Sequence, residues 1–216
     1  MFVDRLIKIE NEIKNIEESL NRTVGEVEIM IVTKKQDIKT ISNLVDRGYT
    51  YFGENRVDEL IEKKRLFSSS RFAYIAPIQS KKFEKIMINS AEIHSISRTK
   101  EIQLMSEYHW NGDYFIQVNV DRESQKSGVM FEQAIDLFTF AYEKFRLPKG
   151  IMCIRALGNK TTPAESFKLM KELNIKIKSK YCKYDGKLSM GMSNDYREAI
   201  IYGSTVVRIG NKIFGG

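Results

Sequence analysis

The stretch "VEIMIVTKKQDIKTISNLVDRGYTYFGEN" (27–55) holds two runs suited to strands, with a helix-spaced segment between them. "VEIMIVTK" (27–34) and "YTYFGEN" (49–55) are short and rich in β-branched or aromatic residues. Between them Ile38, Ile41 and Val45 recur at helical spacing, with Asp37 placed to cap the start and Gly48 just past the end. Strand, helix and strand in that order predict parallel pairing, because the helix returns the chain to the edge where the first strand began.

The pattern repeats outward through "RFAYIAP" (71–77), "EIHSIS" (92–97), "DYFIQVNV" (113–120), "GIMCIRAL" (150–157), "KLSMGMS" (187–193) and "STVVRIG" (204–210). Eight strand–helix units predict an α/β protein, a closed (β/α)8 TIM barrel spanning residues 1–216 as a single domain. An open doubly wound sheet is the structural alternative. Leu6, Ile9, Ile13, Ile16 and Leu20 form one apolar stripe, which predicts an extra N-terminal helix over 1–22 lying on the barrel. Phe131, Ile135, Phe138, Tyr142 and Phe145 form another helical stripe. Residues 158–186 give one helix and then an undetermined stretch.

Cys153 and Cys182 are the only cysteines, so there is no disulfide framework and no paired-cysteine metal motif, and a reducing cytoplasm fits best. The opening residues lack the continuous apolar core of a signal peptide, and no segment is long enough to span a membrane. The net charge of +7 comes from 35 basic and 28 acidic residues that are interleaved along most of the chain. The compact basic runs "EKKRLF" (62–67) and "QSKKFEK" (79–85) read as solvated helix faces, so nucleic acid is expected to bind without specificity. A monomer is expected, since no long exposed apolar segment is visible.

In such a barrel the active site gathers at the C-terminal ends of the strands, and phosphate is often held after strands seven and eight. Those loops contain "SMGMSND", where Ser193 or Asn194 can start a helix, and "RIGNKIFGG", where Gly210 and Asn211 can do so. Backbone N–H groups at helix starts attract phosphate. Each loop also has a plainer reading, a turn with core methionines in one case and a fraying terminus in the other. Lys34 ends strand one in the same plane, and a partly desolvated lysine attacks carbonyls. An amine and a phosphate cradle facing one cavity suggest pyridoxal 5'-phosphate, whose aldehyde forms an imine with lysine. His94 and His109 are too few for a histidine-rich metal site; His94 reads as core or rim and His109 as surface.

"IVTKKQD", "YFGENRVDEL", "YIAPIQSKK", "IHSIS", "QVNVDRESQKSGV", "LSMGMSND" and "GSTVVRIGNKIFG" occur in the order seen in the pyridoxal phosphate homeostasis proteins, the YggS and PROSC group. The chain resembles that family from about residue 27 to 216, and the family's barrel resembles the N-terminal domain of alanine racemase. The resemblance implies that Lys34, and not Lys35, is the lysine that bonds the cofactor. It implies that Asn55 lies near the cofactor, that Ser193, Gly210 and Asn211 hold its phosphate, and that Arg208 faces its pyridine nitrogen. Ala76 stands where the family usually has glycine and Asn211 where threonine is usual; the second change replaces a side-chain hydroxyl by an amide and keeps the backbone donor.

A racemase needs an acid and a base at the two faces of the imine, and usually a protonated ring to take up charge. Arg208 argues against that ring, because a permanent cation disfavours a second positive charge beside it. The sequence ends six residues after Gly210, which leaves no room for the second domain of alanine racemases. The expected role is therefore intracellular binding and delivery of pyridoxal phosphate, with dependent apo-enzymes as recipients and no efficient catalysis. A weak amino-acid racemase is the alternative, and a basic nucleic-acid-binding protein the third reading. Lys126 is a further residue with access to the cofactor, although solvent is the plainer place for it.

Overall fold

The computed structural model describes residues 2–123, 127–155 and 161–215. Its strands are β1 (Glu28–Val32), β2 (Tyr51–Glu54), β3 (Arg71–Tyr74), β4 (Glu92–Ile96), β5 (Asp113–Asn119), β6 (Val129–Met130), β7 (Gly150–Met152), β8 (Lys187–Met192) and β9 (Val206–Ile209). Every ladder is parallel. The order runs β4-β3-β2-β1-β9-β8-β7-β5, and β4 also pairs with β5, so eight strands close on themselves. The two-residue β6 hangs outside this ring on β5 and has no counterpart in the eight-run pattern. All eight expected runs carry a barrel strand, and the closed ring excludes the open sheet.

Alternation along each strand sorts side chains into two compartments. Residues such as Ile31, Phe52, Phe72, Ile93 and Ile209 point outward into the large core shared with the helices, while Met30, Tyr51, Ala73 and Val206 form a separate small cluster inside the ring. Helix α2 (Ile38–Val45) begins as expected: the Asp37 carboxylate accepts from the Thr40 amide at 2.7 Å, and Gly48 follows with φ +87°.

Helix α1 (Phe2–Ser19) buries Leu6, Ile9 and Ile13 against α8 (Tyr196–Ile201) and α9 (Asn211–Phe214). It stops at Ser19, short of 22, because the chain turns at Asn21 (φ +54°) and the buried Glu17 carboxylate receives the amides of Gly25 and Val27 at 2.9 and 2.7 Å. Arg5 Nη1 donates to the Ile213 carbonyl at 3.1 Å, tying α1 to the last helix.

Helix α6 (Ala134–Lys144) departs from its expected stripe. Phe138 is at the centre of the buried face with Ala134, Leu137 and Ala141, while Tyr142 is 54% exposed and Phe131 and Phe145 fall outside the helix. The helix expected in 158–186 is α7 (Pro163–Lys180), which also takes in the first half of the undetermined stretch; it is started by a Thr162–Glu165 capping box and buried through Phe167, Met170, Leu173 and Ile177. Residues 156–160 and 124–126, Lys126 among them, lie outside the described residues. Among the described residues no helix is long and apolar enough to cross a membrane.

Candidate functional site

Strand β1 delivers its end to the C-terminal mouth of the ring, where buried Thr33 is followed by a turn at Lys34 and Lys35. Lys34 is exposed, and its amine has no hydrogen-bond or ion-pair partner among the described residues. The amine is therefore in solvent, not partly desolvated as the strand-end position predicts. What the fold fixes is its backbone. The Thr33 amide donates to Gly53 O at 3.1 Å, the Gln36 amide to Thr33 O at 3.0 Å, and the Lys35 amide to Glu59 Oε2 at 2.8 Å. Lys35 takes φ +62°, in the left-handed region.

Beneath this turn lies Lys63, on α3 (Val57–Leu66). Its ammonium donates to Thr33 O at 2.7 Å, Glu54 Oε1 at 2.6 Å and Glu59 Oε2 at 3.0 Å, which accounts for all three protons. Thr33 Oγ1 adds a 2.5 Å bond to Glu54 Oε1. Lys63 is 2% exposed, so the reading of "EKKRLF" as a solvated face is wrong at this residue. It is buried because the backbone oxygen and two carboxylates replace its water. Burial raises the Glu54 pKa above its ordinary value even with Lys63 beside it. At Glu59 burial acts in the same direction, but the Lys35 amide and Lys63 outweigh it and leave that carboxyl low.

The two phosphate-type loops meet. After β8 the Met192 amide donates to Asp195 Oδ1 at 2.7 Å, and Ser193 Oγ accepts from the Lys212 amide, beyond β9, at 3.2 Å. That bond brings Ser193, Gly210 and Asn211 into one rim. A side chain at Gly210 would place Cβ 3.1 Å from Val32 O and 3.2 Å from Val32 Cβ, so glycine lets β9 close tightly beside the end of β1. The first plain reading holds in part, since Met190 is core although residues 189–192 belong to β8 and Met192 is only half-buried. The second fails, because Ile213 is 0% exposed and Asn211–Phe214 form a helix. An open cleft of about 630 Å³ lies beside this rim, between the start of α7, the β8–α8 loop and Lys212. Another, of about 420 Å³, lies beside Asn55, Tyr74 and Lys82.

Arg208 is inside the ring, paired in register with Met30 of β1, and 3% exposed. Nη1 donates to Ser189 Oγ and Nη2 to the Cys153 carbonyl, both at 2.7 Å. Burial lowers its pKa from the ordinary arginine value, yet a guanidinium keeps its charge in a protein. The nearby Cys153 thiol is pushed up to about 12 by burial, which rules it out as a nucleophile at neutral pH. Asn55 Oδ1 is buried with no partner among the described residues, an acceptor waiting for a donor.

Sequence reasoning missed the groups behind Arg208. Ser189 Oγ is 2.9 Å from His94 Nδ1, and His94 Nε2 is 2.8 Å from Glu92 Oε2. Tyr51 OH donates to Glu92 Oε2 at 2.6 Å, Arg71 Nε lies 3.3 Å from Glu92 Oε1, and Arg71 also pairs with Glu28. Burial disfavours the Glu92 carboxylate, but His94, Tyr51 and Arg71 hold its pKa below the ordinary value. A signal was present: Glu92 and His94 sit two apart in a strand otherwise fit for burial, which is the period of one strand face.

Residues 6–216 match the model of the alanine racemase N-terminal domain. A Vibrio cholerae protein named pyridoxal phosphate homeostasis protein is 33% identical over 219 residues, covering 94% of this chain and 91% of its own. A protein of unknown function from Bifidobacterium adolescentis superposes with a TM-score of 0.87 at 25% identity, covering 99% of this chain and 94% of that one. PipY of Synechococcus elongatus, with pyridoxal phosphate bound, gives 0.77 at 22% identity over 94% of this chain and 100% of its own, a likeness of fold.

Proposed function

The chain belongs to the alanine racemase N-terminal domain family and, within it, to the pyridoxal phosphate homeostasis proteins, and from that membership we propose that it binds pyridoxal 5'-phosphate reversibly at the C-terminal mouth of its barrel. Its role is to hold and deliver that cofactor inside the cell, as a monomer and without an efficient reaction of its own. The observation that carries this reading is the Ser193–Lys212 hydrogen bond, which joins the loops after β8 and β9 into one rim beside the end of β1.

The residues fit the group. Ser193 and the backbone at Gly210 and Asn211 would hold its phosphate, and the unpartnered Asn55 oxygen offers an acceptor to a ring substituent. Arg208, which can only donate, suits an unprotonated pyridine nitrogen. When bound, the cofactor supplies an aldehyde that condenses with a primary amine. Lys34 is the amine in place, exposed on a turn pinned by the Lys35 amide bond to Glu59.

The same residues favour a carrier over an enzyme. A racemase-like reaction needs a ring that accepts electron density, and the buried guanidinium of Arg208 opposes protonation of that ring. Exposure of Lys34 leaves the bonded amine open to water and to exchange, as release requires. Titration followed by visible absorbance tests the proposal. Saturable uptake of one equivalent of pyridoxal phosphate is expected, and absence of uptake overturns it.

A further inference from the structure

Inside the ring one hydrogen-bonded chain links Arg208 to the opposite end of the barrel. From its donors and acceptors we infer that His94 is the positioning residue for Arg208, acting through the Ser189 hydroxyl. This inference rests on Arg208 being the group that meets the cofactor ring.

The argument is one of proton counting. A guanidinium donates and never accepts, so Ser189 Oγ is the acceptor of the 2.7 Å bond from Arg208. The one proton of Ser189 is then available to His94 Nδ1 at 2.9 Å, which must be bare to receive it. The imidazole proton therefore sits on Nε2, where Glu92 Oε2 accepts it at 2.8 Å. The other groups on Glu92 are Tyr51 and Arg71, both donors. Every bond runs in one sense, from Arg208 to the Glu92 carboxylate.

The alternatives are worse. A proton on Nδ1 would leave the bare Nε2 lone pair facing a carboxylate oxygen. An imidazolium would set a second cation one hydroxyl away from Arg208, in a site where both side chains are buried. From the other strands Ser189 (β8) bonds the imidazole, Phe115 (β5) stacks on it with centroids 3.9 Å apart, Arg71 (β3) and Arg208 (β9) act on it by charge, and Tyr51 (β2) reaches it through Glu92. Glu28 (β1) reaches the chain only through Arg71. Burial and the two arginines lower the His94 pKa, against Glu92.

The consequence is mechanical. Arg208 is oriented by two bonds, one to the fixed Cys153 carbonyl and one to a hydroxyl that rotates unless its own proton is held. His94 holds that proton, and so fixes the plane of the guanidinium.

The chain has only two histidines, and His109 is exposed, so nitrogen-15 NMR of the cofactor-free protein resolves His94 directly. A neutral ring protonated on Nε2 is expected from pH 6 to 8; a proton on Nδ1, or an imidazolium at pH 7, overturns the inference. Ser189→Ala should shift the His94 Nδ1 signal to that of a nitrogen without a hydrogen bond. In a second arm, His94→Ala and Ser189→Ala should each weaken pyridoxal phosphate binding about tenfold, the loss of one well-made bond to a charged group. The double variant should lose no more than either single one. His94→Asn, which keeps an acceptor for Ser189, should recover most of the affinity, whereas a merely structural histidine would show no such rescue. Full affinity in Ser189→Ala, or additive losses in the double variant, also overturns it. If the wild-type protein takes up no pyridoxal phosphate, the functional reading falls while the NMR arm still decides the direction of the chain.

Discussion

The Lys63 ammonium donates to the backbone oxygen of Thr33, the residue before Lys34, at 2.7 Å. A cation from one helix thus holds the turn that presents another. Lys63→Met would leave Glu54, 0% exposed, without its counter-ion. The expected cost is about 3–5 kcal/mol, the range for breaking a buried pair from one side. Arg65→Met, in the same basic run but exposed, should fall within about 0.5 kcal/mol of wild type. Urea unfolding of both variants checks the contrast, and equal losses would return Lys63 to the solvated face.

Borohydride treatment of the loaded protein should fix the cofactor to Lys34. Lys34→Ala should abolish the attachment and Lys35→Ala should retain it, because the Lys35 backbone is pinned by its amide bond to Glu59 in the turn that follows Lys34. Peptide mass mapping reads the site; a label on Lys35 in the wild-type protein refutes the assignment.

Pyridoxal should bind far more weakly than pyridoxal phosphate. Hydrogen bonds to a charged phosphate contribute about 1.5–3 kcal/mol each, and the Ser193 rim is where they would be made. Parallel titrations with the two vitamers decide it, equal affinity being the result that removes the cradle.

Removal of an α-proton should be slow. Solvent deuterium incorporation into alanine, followed by NMR, should stay below the ordinary enzyme range of about 1–10³ per second. Arg208→Glu places a carboxylate where the guanidinium lies, and should shift the cofactor spectrum and raise any trace exchange, with occupancy measured in the same sample. Wild-type turnover within the enzyme range would make the racemase reading correct.

Stability should fall with acidification in a window set by His94. Its folded pKa lies below the ordinary 6.5, chiefly through burial. The unfolded chain therefore takes up the proton first. Above 6.5 the group contributes nothing to the pH dependence; as pH drops below it, the unfolded state gains and stability declines until the folded value is passed. Urea midpoints for wild type and His94→Asn between pH 7.5 and 5.5 isolate this contribution. The wild-type slope should be the steeper, and parallel slopes would contradict the assignment.

Alternation of strands and helices was written plainly enough in the sequence to give the barrel, and the order of Lys34, Ser193 and Gly210 along it located the mouth. Lys63 was hidden because it stands in a run with Lys64, whose amine caps the Ser68 and Ser70 carbonyls, and the exposed Arg65, and only its bonds to Thr33 and Glu54 distinguish it. His94 and Ser189 lie 95 residues apart in sequence, on opposite sides of a ring, so their bond is visible only once the ring is closed. Two-residue β6 is too short for any period to show. The stripe departs at Tyr142, which is exposed, while Phe138 is core and Phe131, Ile135 and Phe145 pack against it; the small residues Ala134 and Ala141, which a search for large apolar side chains passes over, complete the buried face of α6.

Strand β1 pairs with β2, its neighbour in the chain, and with β9, the last strand of the ring. Contacts between segments so far apart in sequence are costly to close and form slowly. During synthesis, which proceeds from the N-terminus, the Lys34 turn is made early and the Gly210 rim last. The mouth therefore exists only when the final strand has docked, and any ligand that touches both rims selects for chains that have completed that step.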